Sequence, residues 1–216
     1  MTQLTKKKSS RLNPVRLIVA VVVFLAMMGA GLWFVMQLVG SQGLNSGISI
    51  EIPREVRALA LEGSNGESVT INDLRDGRQY TLLSFGYTHC PDVCPLTLTE
   101  FMRVKRDLTE TENNRMNFVF VSVDGARDTP DLLNRYVTRF DEAFLGLSTQ
   151  DDSVMQRFAD GFKVFYDVRE VENTAAPYLV DHTATIFLVG PSGNVVSSYP
   201  FGTPAAEIAA DIKSRL

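Results

Sequence analysis

Sulfur and imidazole are scarce in this chain: its 216 residues hold two cysteines and two histidines, beside a single tryptophan. With no third cysteine, a four-thiolate metal site within one molecule is excluded. Any site for a soft ion must draw on Cys90 and Cys94, and only His89 and His182 can add a nitrogen. The first sixteen residues contain no acid, only Lys6, Lys7, Lys8, Arg11 and Arg16 as charges. Residues 17–39 contain no charge at all and one amide, Gln37. Beyond them the sequence shows no internal repeat and no low-complexity tract.

Twenty-three residues rising about 1.5 Å each span roughly 34 Å, enough for a hydrocarbon core of about 30 Å. Residues 17–39 therefore read as an N-terminal transmembrane helix, and the positive-inside rule places the basic tail, 1–16, in the cytoplasm. A cleaved secretory signal is the competing reading. Its apolar stretch is usually about 7–15 residues, followed by a small-x-small site. This run is longer and ends in bulky residues, although Gly40-Ser41 admits a cut. A buried core helix would need a polar face, which is missing. The tail is too short for a persuasive mitochondrial presequence, so the expected setting is a bacterial inner membrane with the domain in the periplasm. A mitochondrial inner membrane facing the intermembrane space is the alternative. The formal charge is −4 overall and −9 for residues 17–216 once the five tail cations are set aside. That acidity argues against nucleic acid and anionic lipid surfaces, and mildly favours cationic partners or metal ions.

Residues 40–52, rich in Gly, Ser and Asn, read as a flexible spacer. Residues 53–216 are one domain by size, large enough to bury a core without disulfide help. A strand over 56–61, the turn Gly63-Ser64-Asn65-Gly66 and a strand over 67–71 form a hairpin. Residues 80–85 and 116–123 are near-continuous apolar runs, as in strands covered on both faces. Thr129-Pro130-Asp131 has the form of a helix start. A short strand over 144–147, a helix from 152 capped by Asp151 or Asp152, and an exposed strand over 163–168 follow. Residues 169–177 read as a surface loop. A strand over 183–189, a turn at 190–193, a partner strand over 194–199 and a helix from about 203 close the chain. This βαβαβ alternation with a terminal hairpin and helix predicts an α/β, thioredoxin-like fold, a central mixed sheet flanked by helices.

Cys90 and Cys94 lie in Phe85-Gly86-Tyr87-Thr88-His89-Cys90-Pro91-Asp92-Val93-Cys94-Pro95, between the strand at 80–85 and a helix running to about residue 108. The pair can exchange electrons, hold a metal or form a staple. A staple over so short a loop adds little stability. Pro95 is preferred as the first helical residue, because four residues further into a helix it would cost about 3 kcal/mol. Cys94 then sits near the cap, where the helix dipole predicts a lowered thiol pKa. Two thiolates suit a soft ion such as Cu(I). His89, adjacent to Cys90, reads as a thiol-activating neighbour or a plain loop residue, since adjacent side chains diverge. His182, immediately before a predicted strand, reads either as a ligand or as a surface histidine. Asp181 is either an acceptor orienting that imidazole or solvated. Asp92 reads as a turn former, a carboxylate being a hard partner for a soft ion. The peroxiredoxin pattern of a Thr three residues before the cysteine is absent, with Tyr87 and Pro91 at that offset.

The cysteine block resembles that of the Sco/SenC family of copper-binding cytochrome c oxidase assembly proteins. Val121-Ser122-Val123-Asp124 with Arg127-Asp128-Thr129-Pro130 resembles the family's second block, and Val180-Asp181-His182-Thr183 its histidine block. The three occur in the family's order, and the resemblance runs from about residue 53 to the C-terminus. It implies a thioredoxin-like domain that binds one copper, as Cu(I) or Cu(II), through Cys90, Cys94 and His182. It also implies a role in assembling the dinuclear CuA centre of cytochrome c oxidase subunit II, with other periplasmic copper chaperones or thiol reductants as further partners. On this reading the protein is a metallochaperone and not an enzyme. The alternatives are a thiol–disulfide reductase acting through Cys90 and Cys94, or a copper or redox sensor. His182 separates them, since dithiol exchange has no need of it. Two departures stand: Gly125-Ala126 where the family usually has Pro-Glu, and Thr183 where Ser is commoner. Neither falls on a ligand.

Overall fold

The computed structural model describes residues 14–40, 49–75, 78–170 and 178–216. Most of the expected tail, the spacer over 41–48 and the loop over 171–177 lie outside them. The described chain forms two units. The first is one helix, α1 (Pro14–Gly40), 27 residues long. Its described apolar side chains, Phe24, Met28, Leu32 and Trp33 among them, are exposed. Among the described residues no helix is long and apolar enough to cross a membrane. The side chains at 16, 17, 20 and 35–40 lie outside the described residues, and the uninterrupted described stretch, 21–34, rises only about 21 Å. A helix therefore covers the expected 17–39, but a membrane span is not found among the described residues.

The second unit starts with Ile50, bridged to Val195 (N–O 3.1 and 3.0 Å), and Ile52, wholly buried. These two residues of the expected spacer contribute to the domain. A helical turn, α2 (Arg54–Arg57), replaces the first half of the strand expected over 56–61. The Pro53 carbonyl accepts from the amides of Val56 and Arg57, 3.0 Å each. The Val56 side chain fills the space left by Gly161, where a Cβ would come within 2.6 Å of it. The hairpin is real but short: β1 (Leu61–Gly63) pairs with β2 (Ser68–Val69).

The remaining elements follow in order: β3 (Tyr80–Gly86), α3 (Val93–Asp107), α4 (Glu110–Asn113), β4 (Met116–Ser122), α5 (Pro130–Val137), β5 (Phe144–Ser148), α6 (Asp152–Gly161), β6 (Tyr166–Glu170), β7 (Tyr178–His182), β8 (Thr185–Val189), β9 (Val195–Pro200) and α7 (Ala205–Arg215). Seven strands form one mixed sheet in the order β2-β1-β5-β4-β3-β8-β9. β3, β4 and β5 run parallel at its centre, and the outer pairings are antiparallel. β6 and β7 form a separate two-stranded ribbon. The helix starts follow their caps: Thr129 accepts from the Leu132 amide before Pro130, and Asp151 accepts from the amides of Ser153 and Val154.

Strand alternation assigns the helices to faces. Ser84 is opposite Phe120 and Phe85 opposite Val121, so Phe85 and Phe120 point to opposite sides of the sheet. On the Phe120 side, Phe118 and Phe144 meet Phe101 of α3, Tyr136 of α5 meets Phe120, and α7 packs on α3. On the other side Phe85 and Phe187 meet Phe158 of α6 and Phe162 just after it. The central sheet is flanked by helices, as the alternation predicts.

One buried charge braces the β9 edge. Asp211 accepts from the hydroxyls of Ser197 (2.7 Å) and Tyr199 (2.6 Å) and from Nε of Arg215 (3.1 Å). Burial works to raise its pKa, but the donors from Tyr199, Arg215 and Ser197 outweigh burial and hold it below the usual value. A carboxyl lowered on folding stabilises the protein above its unfolded pKa of about 4, and that contribution is lost as pH falls through the folded value. Asp211→Asn is expected to cost about 2–3 kcal/mol at neutral pH, and the deficit should shrink below pH ~4. Urea unfolding followed by tyrosine near-ultraviolet circular dichroism checks this without interference, because the one tryptophan, Trp33, lies in α1.

Candidate metal centre

The candidate site lies where β3 and β4 end, at the carboxyl edge where open α/β sheets bind ligands. Beyond Gly86 the chain turns, the Cys90 amide donating to the Tyr87 carbonyl (3.2 Å). Asp128, almost wholly buried, fixes the turn. Its carboxylate accepts from the Thr88 amide (2.8 Å), the Thr88 hydroxyl (2.6 Å) and the Ser122 hydroxyl (2.6 Å). His89 faces this carboxylate, Nδ1 lying 3.0 Å from the Thr88 hydroxyl and 3.6 Å from Asp128. It therefore groups with Asp124 and Asp128 and not with the sulfurs, which, of its two readings, favours the plain loop residue over the thiol activator. Hydrogen bonds within the protein already engage that second group, since Thr88 and Ser122 hold Asp128 while Arg127 and Tyr178 hold Asp124.

Helix α3 begins at Val93, two residues earlier than the proline rule suggests. Pro95 is its third residue. There the missing N–H has no partner in any case, and the carbonyl four residues back, that of Pro91, lies outside the helix. Cys94 consequently points inward, buried, while Cys90 is half-buried in the loop. The Cys94 sulfur sits against Gly86, where an added Cβ would come within 2.6 Å of it and 2.7 Å of the Phe120 ring. Asp92 is the N-cap residue but makes no side-chain capping bond, in keeping with a turn former.

The order of thiol acidities is the reverse of the dipole expectation. The Cys90 thiol is brought down to about 4. A hydrogen bond from the Cys94 thiol is the main cause. His182 and the amides of Asp92 and Cys94 add to it, and burial opposes it. Cys94 is pushed up, first because its proton is held by Cys90, then by burial and by the neighbouring negative charge. The two sulfurs share one proton at neutral pH. The dipole argument failed on direction: the free amides at the start of α3 point at the sulfur in the loop, not at the one on the helix.

His182 is the last residue of β7, opposite Tyr166 of β6. Its Nε2 lies 3.4 Å from Cys94 Sγ, and Nδ1 lies 3.2 Å from the Thr183 carbonyl. With the ring neutral and its proton on Nδ1, Nε2 presents a lone pair to the sulfurs. With the ring protonated, Nε2–H donates to them. Asp181 does not orient the ring; it faces Arg169 on the exposed side of the ribbon (3.2 Å). The ligand atoms of Cys90, Cys94 and His182 all lie within 4.8 Å of one another. Two soft sulfurs and one imidazole can thus converge on a single ion. Three neighbours fall within the resembling blocks, yet the sequence alone assigns them no role: Gly86, which makes room for Cys94; Tyr87, whose ring meets His182 edge-on (6.1 Å, 89°); and Arg127, of the second block. Gly86 and Tyr87 lie within the cysteine block, but nothing in that block marks one as a gap and the other as a wall.

Two outcomes follow for the metal-free protein. The pH dependence of Cys90 alkylation should have its midpoint near 4, with Cys94 unreactive at neutral pH, and Cys94→Ala should move the midpoint upward by removing the donor. Mass spectrometry of iodoacetamide-treated protein reads both. Gly86→Ala should overpack the site at about 1–3 kcal/mol and expose Cys94 to the reagent.

The family model described as SCO1/SenC matches residues 53–216. The mitochondrial protein SCO2 of Saccharomyces cerevisiae is 31% identical over 134 residues, 62% of this chain but only 44% of that protein, so the match spans less than half of that relative. Among solved structures, copper-bound ScoI of Bradyrhizobium japonicum is 35% identical with a TM-score of 0.65, covering 73% of this chain and 97% of that one. BsSco, described as a member of the Sco family of cytochrome c oxidase assembly proteins, shares the fold at 22% identity and a TM-score of 0.58, covering 80% and 97%. With residues 53–216 matched and the cysteine and histidine blocks meeting in space, this chain belongs to the SCO1/SenC family.

Proposed function

We propose that the chain is a membrane-anchored copper carrier that holds one copper ion through Cys90, Cys94 and His182 and assists assembly of the CuA centre in subunit II of cytochrome c oxidase. The observation that carries this is the convergence of the three donors within 4.8 Å, from a loop, a helix and a separate ribbon. Copper is the cargo, and the donor set fits it: two sulfurs and one imidazole suit Cu(I), which tolerates low coordination, whereas structural zinc takes four ligands. The copper-bound relative and the oxidase-assembly description of BsSco support the choice of metal and destination. Half-exposed Cys90 is the donor that an incoming ligand would reach first, so the ion can pass by ligand exchange without being released to water.

The anchoring half of the reading rests on the uncharged run 17–39 behind a basic tail. With α1 as the span, the basic tail 1–16 lies in the bacterial cytoplasm, the spacer up to residue 49 tethers the domain, and the domain from Ile50 onward works in the periplasm.

The shared proton favours a second reading. A half-exposed thiolate beside a buried thiol is the arrangement by which one sulfur attacks a target disulfide and the other resolves the mixed disulfide. The same dithiol would then keep CuA-site cysteines reduced.

His182 separates the two. Under anaerobic competition with a Cu(I) chelator, the wild type should bind one copper per chain, and His182→Ala should bind more weakly by about tenfold or more. Equal affinities would sink the three-donor model. A His182→Ala protein that still reduces an oxidised CuA-site peptide at the wild-type rate, in cells that still assemble oxidase, would favour the reductase.

A further inference from the structure

Among the described residues, His182 is carried by a ribbon that shares no ladder with the seven-stranded sheet. Only Thr183 and Ala184 separate it from β8 of that sheet, which fixes one end of β7. The far end, at Tyr178, needs a hold other than strand pairing to the sheet, and its contacts name the candidate. At the start of β7, Arg127 Nη1 donates to the Tyr178 carbonyl (3.2 Å), and the guanidinium carbon lies over the Tyr178 ring, 3.6 Å from its centroid. The Tyr178 hydroxyl donates to Asp124 Oδ1 (2.7 Å), and Arg127 Nε pairs with Asp124 Oδ2 (2.6 Å), closing a ring of three side chains. On its other side the guanidinium lies 5.6 Å from the ring of Tyr87. Tyr87 belongs to the cysteine loop, meets His182 edge-on, and faces the backbone of Val180 with its hydroxyl.

We propose that Arg127 is a positioning residue for the metal centre: seated between Tyr178 of the histidine strand and Tyr87 of the cysteine loop, it clamps β7 so that His182 stays within reach of both sulfurs. The inference rests on Cys90, Cys94 and His182 being the ligand set. The chemistry of the side chain argues for position over local stability. A lysine would neutralise Asp124 equally well, but only a planar fork reaches a carboxylate, a carbonyl and two ring faces at once. That geometry leaves Arg127 Nη2 buried with no hydrogen-bond partner among the described residues, a cost that simple charge pairing would not require. Asp124 and Arg127 sit immediately beyond β4, which Asp128 already ties to the cysteine loop. The clamp thereby fixes the third donor to the frame that fixes the first two.

The test uses the full chain in detergent, as Arg127→Ala, Arg127→Lys, Tyr178→Leu and His182→Ala. Three quantities are read: Cu(I) affinity by chelator competition, nitrogen coupling in the electron paramagnetic resonance of the Cu(II)-loaded protein, and amide exchange at Val180 in the metal-free protein. Arg127→Ala should lower the affinity about tenfold, weaken the nitrogen coupling and speed Val180 exchange, with tyrosine circular dichroism retained. Arg127→Lys should not restore wild-type values, and Tyr178→Leu should shift all three in the same direction. Wild-type affinity, coupling and exchange in Arg127→Ala would overturn the proposal. So would loss of tyrosine dichroism in Arg127→Ala beside wild-type values of all three in Tyr178→Leu. Nitrogen coupling that survives in His182→Ala would overturn the ligand set instead, a distinct result.

Discussion

A buried carboxylate holds this site together. Asp128 accepts three hydrogen bonds, two from Thr88 just past β3 and one from Ser122 at the end of β4. Those bonds join the ends of two parallel strands whose ladder has run out. Cys90 follows Thr88 by two residues, so its sulfur is placed by that anchor. Cys94 is placed by the start of α3 and by the gap at Gly86, on the same frame. A charged acceptor of this kind is strong only when all its donors are present, and the donors here come from both ends of the β3–β4 crossover, Thr88 and Ser122. The cysteines therefore owe their mutual position less to their own four-residue spacing than to an aspartate 34 residues beyond the second of them.

Much of the fold was legible because the strands that matter are covered on both faces. Residues 80–85 and 116–123 announce themselves as near-continuous apolar runs, and β8 does likewise. The helix starts at Thr129 and Asp151 were legible because capping is local chemistry. Legibility failed where a distant residue decides. The alternation around Val56 looks like a strand until Gly161 offers it a hole. The position of Pro95 does not separate the first helical residue from the third, since both lack an intrahelical partner. The resemblance brought His182 into the site. Residue spacing alone left it open, because it sits on a ribbon whose attachment depends on Arg127 and Tyr178, side chains 51 residues apart.

The acidity of the thiols shows the limit of a sequence rule applied without coordinates. A helix N-terminus favours a thiolate, but the rule names the place and not the sulfur. Here the loop folds back so that Cys90 lies over the free amides, while Cys94 is turned into the apolar face against Phe120 and Gly86. Inner thiol and outer thiolate divide the work: one is sheltered and one is accessible, and the histidine closes the third side.

The separateness of the β6–β7 ribbon has a consequence for how such a protein can diversify. No backbone rung links the described ribbon to the main sheet, although Val180 on its inner side is buried in the common core. Its exposed positions, Val168 and Arg169 among them, can therefore change without altering a rung of the seven-stranded ladder. A change at Val180 or His182 touches core or cargo.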